Sequence, residues 1–275
     1  MKTMLHPSRK VRCVGWRDGS AAPGERTIPE ETAIVFTYNR FSYAVMMATP
    51  ADLEDFAVGF SISEGVVARP DEITDIEVVA GDRGIELRLW IAEARIKSFL
   101  EHRRYVAGPS GCGLCGVESL AEAMKPPPRV TADIRISADD LAAAIASLPE
   151  QQPLNRQSRA VHAAAFWEPG RGIVALREDI GRHNALDKLG GALARAGRPA
   201  TNGAVLLTSR VSVELIQKAA VLGAPIVAAV SAPTALALRV AEEAGITLVA
   251  VARHDGFEVF TRGERIAAEQ VEHVA

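Results

Sequence analysis

Residues 204–252 read AVLLTSRVSVELIQKAAVLGAPIVAAVSAPTALALRVAEEAGITLVAVA, and the alternation inside this stretch decides the fold class. Short apolar runs at 204–208, 226–230 and 246–252 predict buried strands, and the segments between them, 211–222 and 233–244, predict helices. Strands that alternate with helices in this way form parallel sheets joined by helical crossovers. Working upstream, residues 183–196 predict another helix. Residues 161–167 and 172–176 predict a hairpin that turns at Pro169-Gly170-Arg171, and Ser137 is placed to cap a helix bearing Leu141, Ala144, Ile145 and Leu148.

The run Lys125-Pro126-Pro127-Pro128-Arg129 neither continues a helix nor enters a central strand, because each proline lacks a donor and restricts the residue before it. It marks a linker over 125–136, with an α/β domain at 137–275. On its other side, 28–124 is expected to be a smaller α+β domain. Strands at 33–38 and 42–47 flank Asn39-Arg40-Phe41, and a second strand pair spans 73–80 and 84–92. Between the pairs lies a helix with Thr49 as its expected N-cap, Pro50 and Asp52 in its first turn, Leu53, Phe56, Ala57 and Phe60 on one face, and Gly65 at its close. A short helical stretch at 92–101 leads to Arg103-Arg104-Tyr105. Residues 1–27, charged and without periodicity, are expected to be a flexible lead-in.

The 275 residues are 48% hydrophobic and 24% charged, enough to bury a core, and the net charge of −3 gives no electrostatic case for binding nucleic acid or an anionic membrane. One run, 219–238, is uncharged over about the length of a membrane span. Gly223, Pro225 and Pro233 interrupt it, so a helix end, a strand and a new helix explain it better. The N-terminus lacks the pattern of a secretory signal, and a cytoplasmic protein is expected. Three cysteines do not make a disulfide framework.

Two of those cysteines carry the clearest chemistry. Ser110-Gly111-Cys112-Gly113-Leu114-Cys115-Gly116 places two thiols in one glycine-rich loop that a partner can approach closely. Structural zinc would need two further ligands, and no second Cys/His pair is close in sequence. A thioredoxin-like dithiol would sit at a helix N-terminus. A pair of small buried residues and sulfur handling through a persulfide or mixed disulfide complete the alternatives. Arg103 and Arg104 are candidates to favour a thiolate.

A second cluster, Glu178 to Lys188, crowds ionisable side chains into a loop that enters a helix. Gly181, Arg182 and His183 there suit an anion, whereas the bland reading is a solvated helix start capped by Asp179. Ser209 and Arg210 follow a predicted parallel strand, at the carboxyl edge where ligands of α/β sheets gather. His162, in an apolar strand, reads more simply as a core histidine. Zinc deaminase chemistry requires a glutamate in His-x-Glu ahead of Pro-Cys-x-x-Cys; His162-Ala163-Ala164 lacks it and follows the cysteines.

Taken together, Ser110 to Leu120, Val161 to Ala165, Glu178 to Leu189, Leu207 to Arg210 and Val230 to Thr234 resemble the FdhD family of sulfur carriers for formate dehydrogenase, over about 28–261. The resemblance implies a cytidine-deaminase-like three-layer α/β fold for the second half, without the zinc site, and a homodimer. It also implies a sulfurtransferase that takes persulfide sulfur from a cysteine desulfurase and passes it to the molybdenum bis(molybdopterin guanine dinucleotide) cofactor, bound as substrate, before insertion into apo-formate dehydrogenase. Cys112 would bear the persulfide with Cys115 as partner, and Val251, Ala252, Arg253, His254, Asp255 and Gly256 match the family's cofactor-binding segment. The alternative within this resemblance is a non-catalytic chaperone for the same cofactor.

Overall fold

The computed structural model describes residues 6–92, 95, 106–107, 126–253 and 255–267. Its first half is built on a five-stranded sheet. Strands β3 (Thr32–Tyr38) and β4 (Phe41–Ala48) form a hairpin, β5 (Ile73–Gly81) and β6 (Gly84–Ile91) a second, and β7 (Val106–Ala107) adds to β4, giving the order β5-β6-β3-β4-β7. The first hairpin turns on Asn39 and Arg40, both at positive φ (46° and 73°), the backbone that matches strand twist. Ile34, Phe36 and Tyr38 alternate on one face with Ile85, Leu87 and Leu89 from β6, and helix α1 (Leu53–Ser63) covers that face with Phe56 and Phe60. The Phe36 and Phe60 rings lie 4.1 Å apart between centroids.

The second half holds a six-stranded sheet. Antiparallel β9 (His162–Glu168) and β10 (Gly172–Asp179) lead to β11 (Ala204–Leu207), β12 (Ile226–Ala229) and β13 (Thr247–Arg253), which run parallel, and β14 (Gly256–Val259) closes the edge antiparallel. Successive residues of the inner strands face opposite layers, as a period of two demands. Val205, Leu207 and Val227 meet α4 (Arg182–Arg195), α5 (Val213–Val221) and α6 (Ala235–Ala244), whereas Leu206, Ala228 and Val249 meet α2 (Ala138–Ser147). Ser137 caps α2 as expected, its hydroxyl accepting from the Asp140 N–H at 3.0 Å. A short helix, α3 (Pro153–Ser158), precedes β9, and β8 (Ile136–Ser137) pairs with β15 (Ile266–Ala267). The mixed α/β class is the one expected. No helix among the described residues is long and apolar enough to cross a membrane.

The halves meet where α1 crosses α4. A Cβ on Gly59 would come within 1.7 Å of the Asp187 carbonyl oxygen, and one on Gly191 within 1.8 Å of the Asp55 carbonyl oxygen, so the two backbones touch through glycine. Around the crossing, the Ser63 hydroxyl donates to Asp187 at 2.7 Å and Lys218 bonds both Asp187 oxygens at 2.9 and 3.0 Å.

Three sequence expectations need correction or limitation here. The lead-in is not irregular where it is described: β1 (Ser8–Arg17) and β2 (Ser20–Pro29) form an antiparallel hairpin in continuous register. Its turn is Asp18-Gly19, both at positive φ (50° and 75°), a strong hairpin dipeptide set between strands that lack apolar alternation. Thr49 does not cap α1; the N-cap is Asp52, in left-handed geometry and without a side-chain cap bond. Thr49 is instead taken into a buried network with residues 179–188, where it supplies more hydrogen bonds than a cap would. Finally, the expected helix at 92–101 and the segment bearing Cys112 and Cys115 lie outside the described residues, apart from Ala92 and Arg95.

Candidate functional site at the carboxyl edge of the sheet

The parallel strands β11, β12 and β13 end on the same edge at which antiparallel β10 ends and β9 begins, so that the topology gathers distant motifs there. Thr208 locks the β11 end to β9: its hydroxyl accepts from the Ala163 N–H at 2.8 Å, and its N–H donates to the Ala163 carbonyl at 3.1 Å. The next loops are laced together by backbone bonds, Val211 N–H to Ala232 carbonyl (3.3 Å) and Thr234 N–H to Val211 carbonyl (3.0 Å). Thr234 then caps α6 by accepting from the Ala237 N–H at 3.2 Å.

Most of the charge in the 178–188 segment serves the interior. Glu178 accepts the N–H groups of Leu154 and Asn155 at 2.8 and 2.7 Å, fixing the start of α3, while burial pushes its carboxyl up against those bonds. Asp179 is fully buried. One of its oxygens accepts from Gly181 N–H (2.7 Å) and Asn184 Nδ2 (2.9 Å); the other accepts from Thr49 N–H (3.0 Å) and Lys188 Nζ (2.7 Å). Lys188 also donates to the Thr49 carbonyl at 2.8 Å and lies 5.5 Å from the Phe56 ring centre. A carboxylate thus already occupies the Gly181 donor, but Asp179 does not cap α4: the N-cap is Gly181 itself, without a side-chain cap bond. What remains toward the edge is half-buried Arg182 and buried His183.

His183 faces a residue that sequence reasoning missed. Its Nε2 lies 3.9 Å from Oε2 of Glu214, in the first turn of α5, and both atoms are buried with no hydrogen-bond partner among the described residues. Burial alone would raise the Glu214 carboxyl; His183, Ser212 and the backbone N–H of Glu214 together outweigh it and hold the group down at about 2. An acidic residue just inside a helix that follows Thr208-Ser209-Arg210 was the available signal. His162 is half-buried, and burial first, then Arg182, pulls its imidazole below the usual range, so it is neutral at pH 7.

The other expected site residues divide by exposure. Ser209 is buried, its hydroxyl donating to the Arg210 carbonyl at 3.0 Å, whereas Arg210 is exposed. Val251 sits at positive φ (52°) in a register shift of β13, with its N–H on the Ser231 carbonyl at 3.3 Å. Ala252 is buried, Arg253, Asp255 and Gly256 are exposed, and His254 is outside the described residues. Four strand spacings separate β10 from β13, about 19 Å. No single phosphate spans that distance, so the 181–183 and 251–256 groups address different parts of an extended ligand or different ligands.

Residues 29–267 match the FdhD/NarQ family. The chain belongs to that family. Relatives within it include the sulfur carrier protein FdhD of Agrobacterium fabrum, 49% identical over 94% of this chain and 96% of the relative, and that of Cupriavidus necator, 46% identical over 92% and 88%. Among solved structures, a formate dehydrogenase accessory protein from Desulfotalea psychrophila superposes with a TM-score of 0.74 at 25% identity, covering 95% of this chain and all of the other. The family is the one that the motifs suggested. Of the FdhD motifs, the cysteine loop is entered from the end of the five-stranded sheet: Ala44 pairs with Val106 and Val45 with Ala107, the last described residues before Cys112.

Proposed function

We infer that this chain is a sulfur carrier acting in formate dehydrogenase maturation, a sulfurtransferase that works through a persulfide on Cys112. The observation that carries the reading is full-length similarity to proteins named sulfur carrier protein FdhD, joined to the Cys112-Gly113-Leu114-Cys115 pair in this sequence. The Cys112 thiolate attacks the terminal sulfur of a cysteine desulfurase persulfide; the new S–S bond gives Cys112–S–SH and the desulfurase cysteine leaves as thiolate. The Cys115 thiolate then attacks Sγ of Cys112, and the terminal sulfur departs as hydrosulfide toward molybdenum. The two cysteines are left as a disulfide, which a cellular dithiol returns to thiols with two electrons.

The acceptor is the molybdenum bis(molybdopterin guanine dinucleotide) cofactor, held as substrate along the carboxyl edge. Its nucleotide phosphates suit the side chains of Arg182, Arg210 and Arg253 and the first residues of α4, Arg182 and His183. Backbone groups of Val251 to Arg253 and of Asp255 and Gly256, with the buried hydroxyl of Ser209, frame the same edge. The working form is a cytoplasmic homodimer that meets the desulfurase and the apo-dehydrogenase in turn.

Mass spectrometry after incubation with a cysteine desulfurase and cysteine tests the scheme. The expected result is a sulfur adduct on Cys112 that is absent in Cys112→Ala, and that accumulates undelivered in Cys115→Ala. Sulfur loading and dehydrogenase maturation that survive Cys112→Ala would sink it.

A further inference from the structure

The cysteine segment is entered from a strand with a fixed place in the fold. At β7, Val106 and Ala107 pair in parallel with Ala44 and Val45 of β4, so the chain reaches Ala107 running in the direction in which β4 runs toward Ala48. Cys112 is five residues further on, and five residues span at most about 18 Å. Ala107 is therefore the root of the thiol's reach, and any displacement of β4 displaces that reach with it.

The end of β4 is held by the second half of the chain. All three polar groups of Thr49, the residue after β4, are bound there: its N–H donates to Asp179 at 3.0 Å, its hydroxyl accepts from the Ile180 N–H at 3.2 Å, and its carbonyl accepts from Lys188 at 2.8 Å. Asn184 donates to the Met47 carbonyl and to Asp179, both at 2.9 Å. Thr49, Asp179 and Lys188 are fully buried and Asn184 nearly so. These bonds differ in kind from other contacts between the halves. Ion pairs from Asp55 to Arg177 and Arg195, and the Ser63 bond to Asp187, join the second half to α1. α1 in turn meets the sheet through Phe56 and Phe60, and apolar packing has no direction of its own. The bonds of Thr49 and Asn184 are directional and act on the sheet itself. They also end where the candidate site begins, because Asp179 and Ile180 lead directly into Gly181, the N-cap of α4, and then Arg182 and His183.

We propose, resting on the reading of this chain as a sulfur carrier, that Thr49 and Asn184 are positioning residues for sulfur delivery, which hold the strand at the root of the cysteine segment in place against the start of α4. Both are too deeply buried to touch a ligand themselves. Their effect falls on one of the two steps. Loading is an encounter between Cys112 and a second protein, which approaches from solution and follows the segment wherever it lies. Delivery brings the sulfur to a cofactor already bound at the edge, so it depends on the distance between root and edge. Misplacement by about 1 Å costs up to about a hundredfold in such a step. A purely structural role predicts something else: lower stability, with both steps intact in the folded fraction.

Single-turnover kinetics followed by mass spectrometry separates the two steps in Thr49→Val, in Asn184→Ala and in the conservative Thr49→Ser, each checked for folding by far-UV circular dichroism. Loading is read as growth of the sulfur adduct on Cys112 with a cysteine desulfurase and cysteine. Delivery is read as decay of that adduct once the desulfurase is removed and the molybdenum bis(molybdopterin guanine dinucleotide) cofactor is added. The expected result is loading within about twofold of wild type in all three, delivery slowed about tenfold or more in Thr49→Val and Asn184→Ala, and delivery retained in Thr49→Ser, which keeps the hydroxyl. Guanosine diphosphate affinity stays within about twofold of wild type, because the arginines of the edge are untouched. Delivery at the wild-type rate in the folded Thr49→Val and Asn184→Ala variants overturns the proposal, as does a delivery defect matched by an equal loss of guanosine diphosphate affinity. A wild-type chain that takes up no sulfur overturns the sulfur-carrier reading itself, and the positioning role with it.

Discussion

Adjacent glycines in α4 offer a test in which two effects of opposite sign compete. Replacing either Gly190 or Gly191 by alanine gains about 1 kcal/mol of helix propensity. At Gly190 the new methyl would meet Leu222 Cδ2 at 2.8 Å, the far end of a side chain that rotates away, so Gly190→Ala should stay within about 1 kcal/mol of wild type. At Gly191 it would meet the Asp55 carbonyl oxygen at 1.8 Å and the Gly59 nitrogen at 2.8 Å, backbone atoms of the facing helix. Relief requires α1 and α4 to separate by roughly 1.5 Å, beyond the 1–3 kcal/mol of ordinary overpacking. Separation also stretches the 2.7 Å bond from Ser63 to Asp187, which is worth about 1 kcal/mol. The net expectation for Gly191→Ala is a loss of about 3 kcal/mol. Urea unfolding followed by circular dichroism should show a midpoint for Gly191→Ala well below that of Gly190→Ala. Equal midpoints would refute the claim that the two halves dock backbone to backbone at this crossing.

The buried pair predicts a second asymmetry: Lys188→Met leaves the Asp179 carboxylate without its cation and should cost about 3–5 kcal/mol, and adding Asp179→Asn should recover part of that loss in a double-mutant cycle of unfolding free energies. Glu214 predicts an acid limb. Its folded value of about 2 lies below the ordinary 4.5, so its contribution is complete above 4.5 and drains away as the pH falls toward 2. The melting temperature should fall over that window, and His183→Gln should flatten the fall. At the proposed nucleotide edge, Arg210→Gln should weaken guanosine diphosphate binding about tenfold by calorimetry while leaving the urea midpoint unchanged, as befits an exposed side chain.

How much of this was legible before the fold depended on the range of the interaction. The strands and helices of 204–252 were readable because apolar runs, prolines and glycines act within a few residues, and the Ser137 cap needed only its neighbour at 140. The β1–β2 hairpin was missed because its strands bury almost nothing, so hydrophobic alternation was silent even though Asp18-Gly19 marked the turn. Thr49 was misread for the opposite reason. Locally it is a good cap, but Asp179, 130 residues away, offers its backbone a buried carboxylate.

The sequence by itself determined the family, the thiol pair Cys112 and Cys115, the α/β alternation and the candidate motifs, since each is written in residue types at short spacing. Only the tertiary structure decided which charges of 178–188 face inward, that Glu214 stands against His183, and that loops from β10, β11, β12 and β13 share one edge. Those facts depend on strand order and on the glycine-to-glycine crossing of α1 with α4, which join residues more than a hundred positions apart. Whether a charge is solvated or buried is set by what the rest of the chain lays over it.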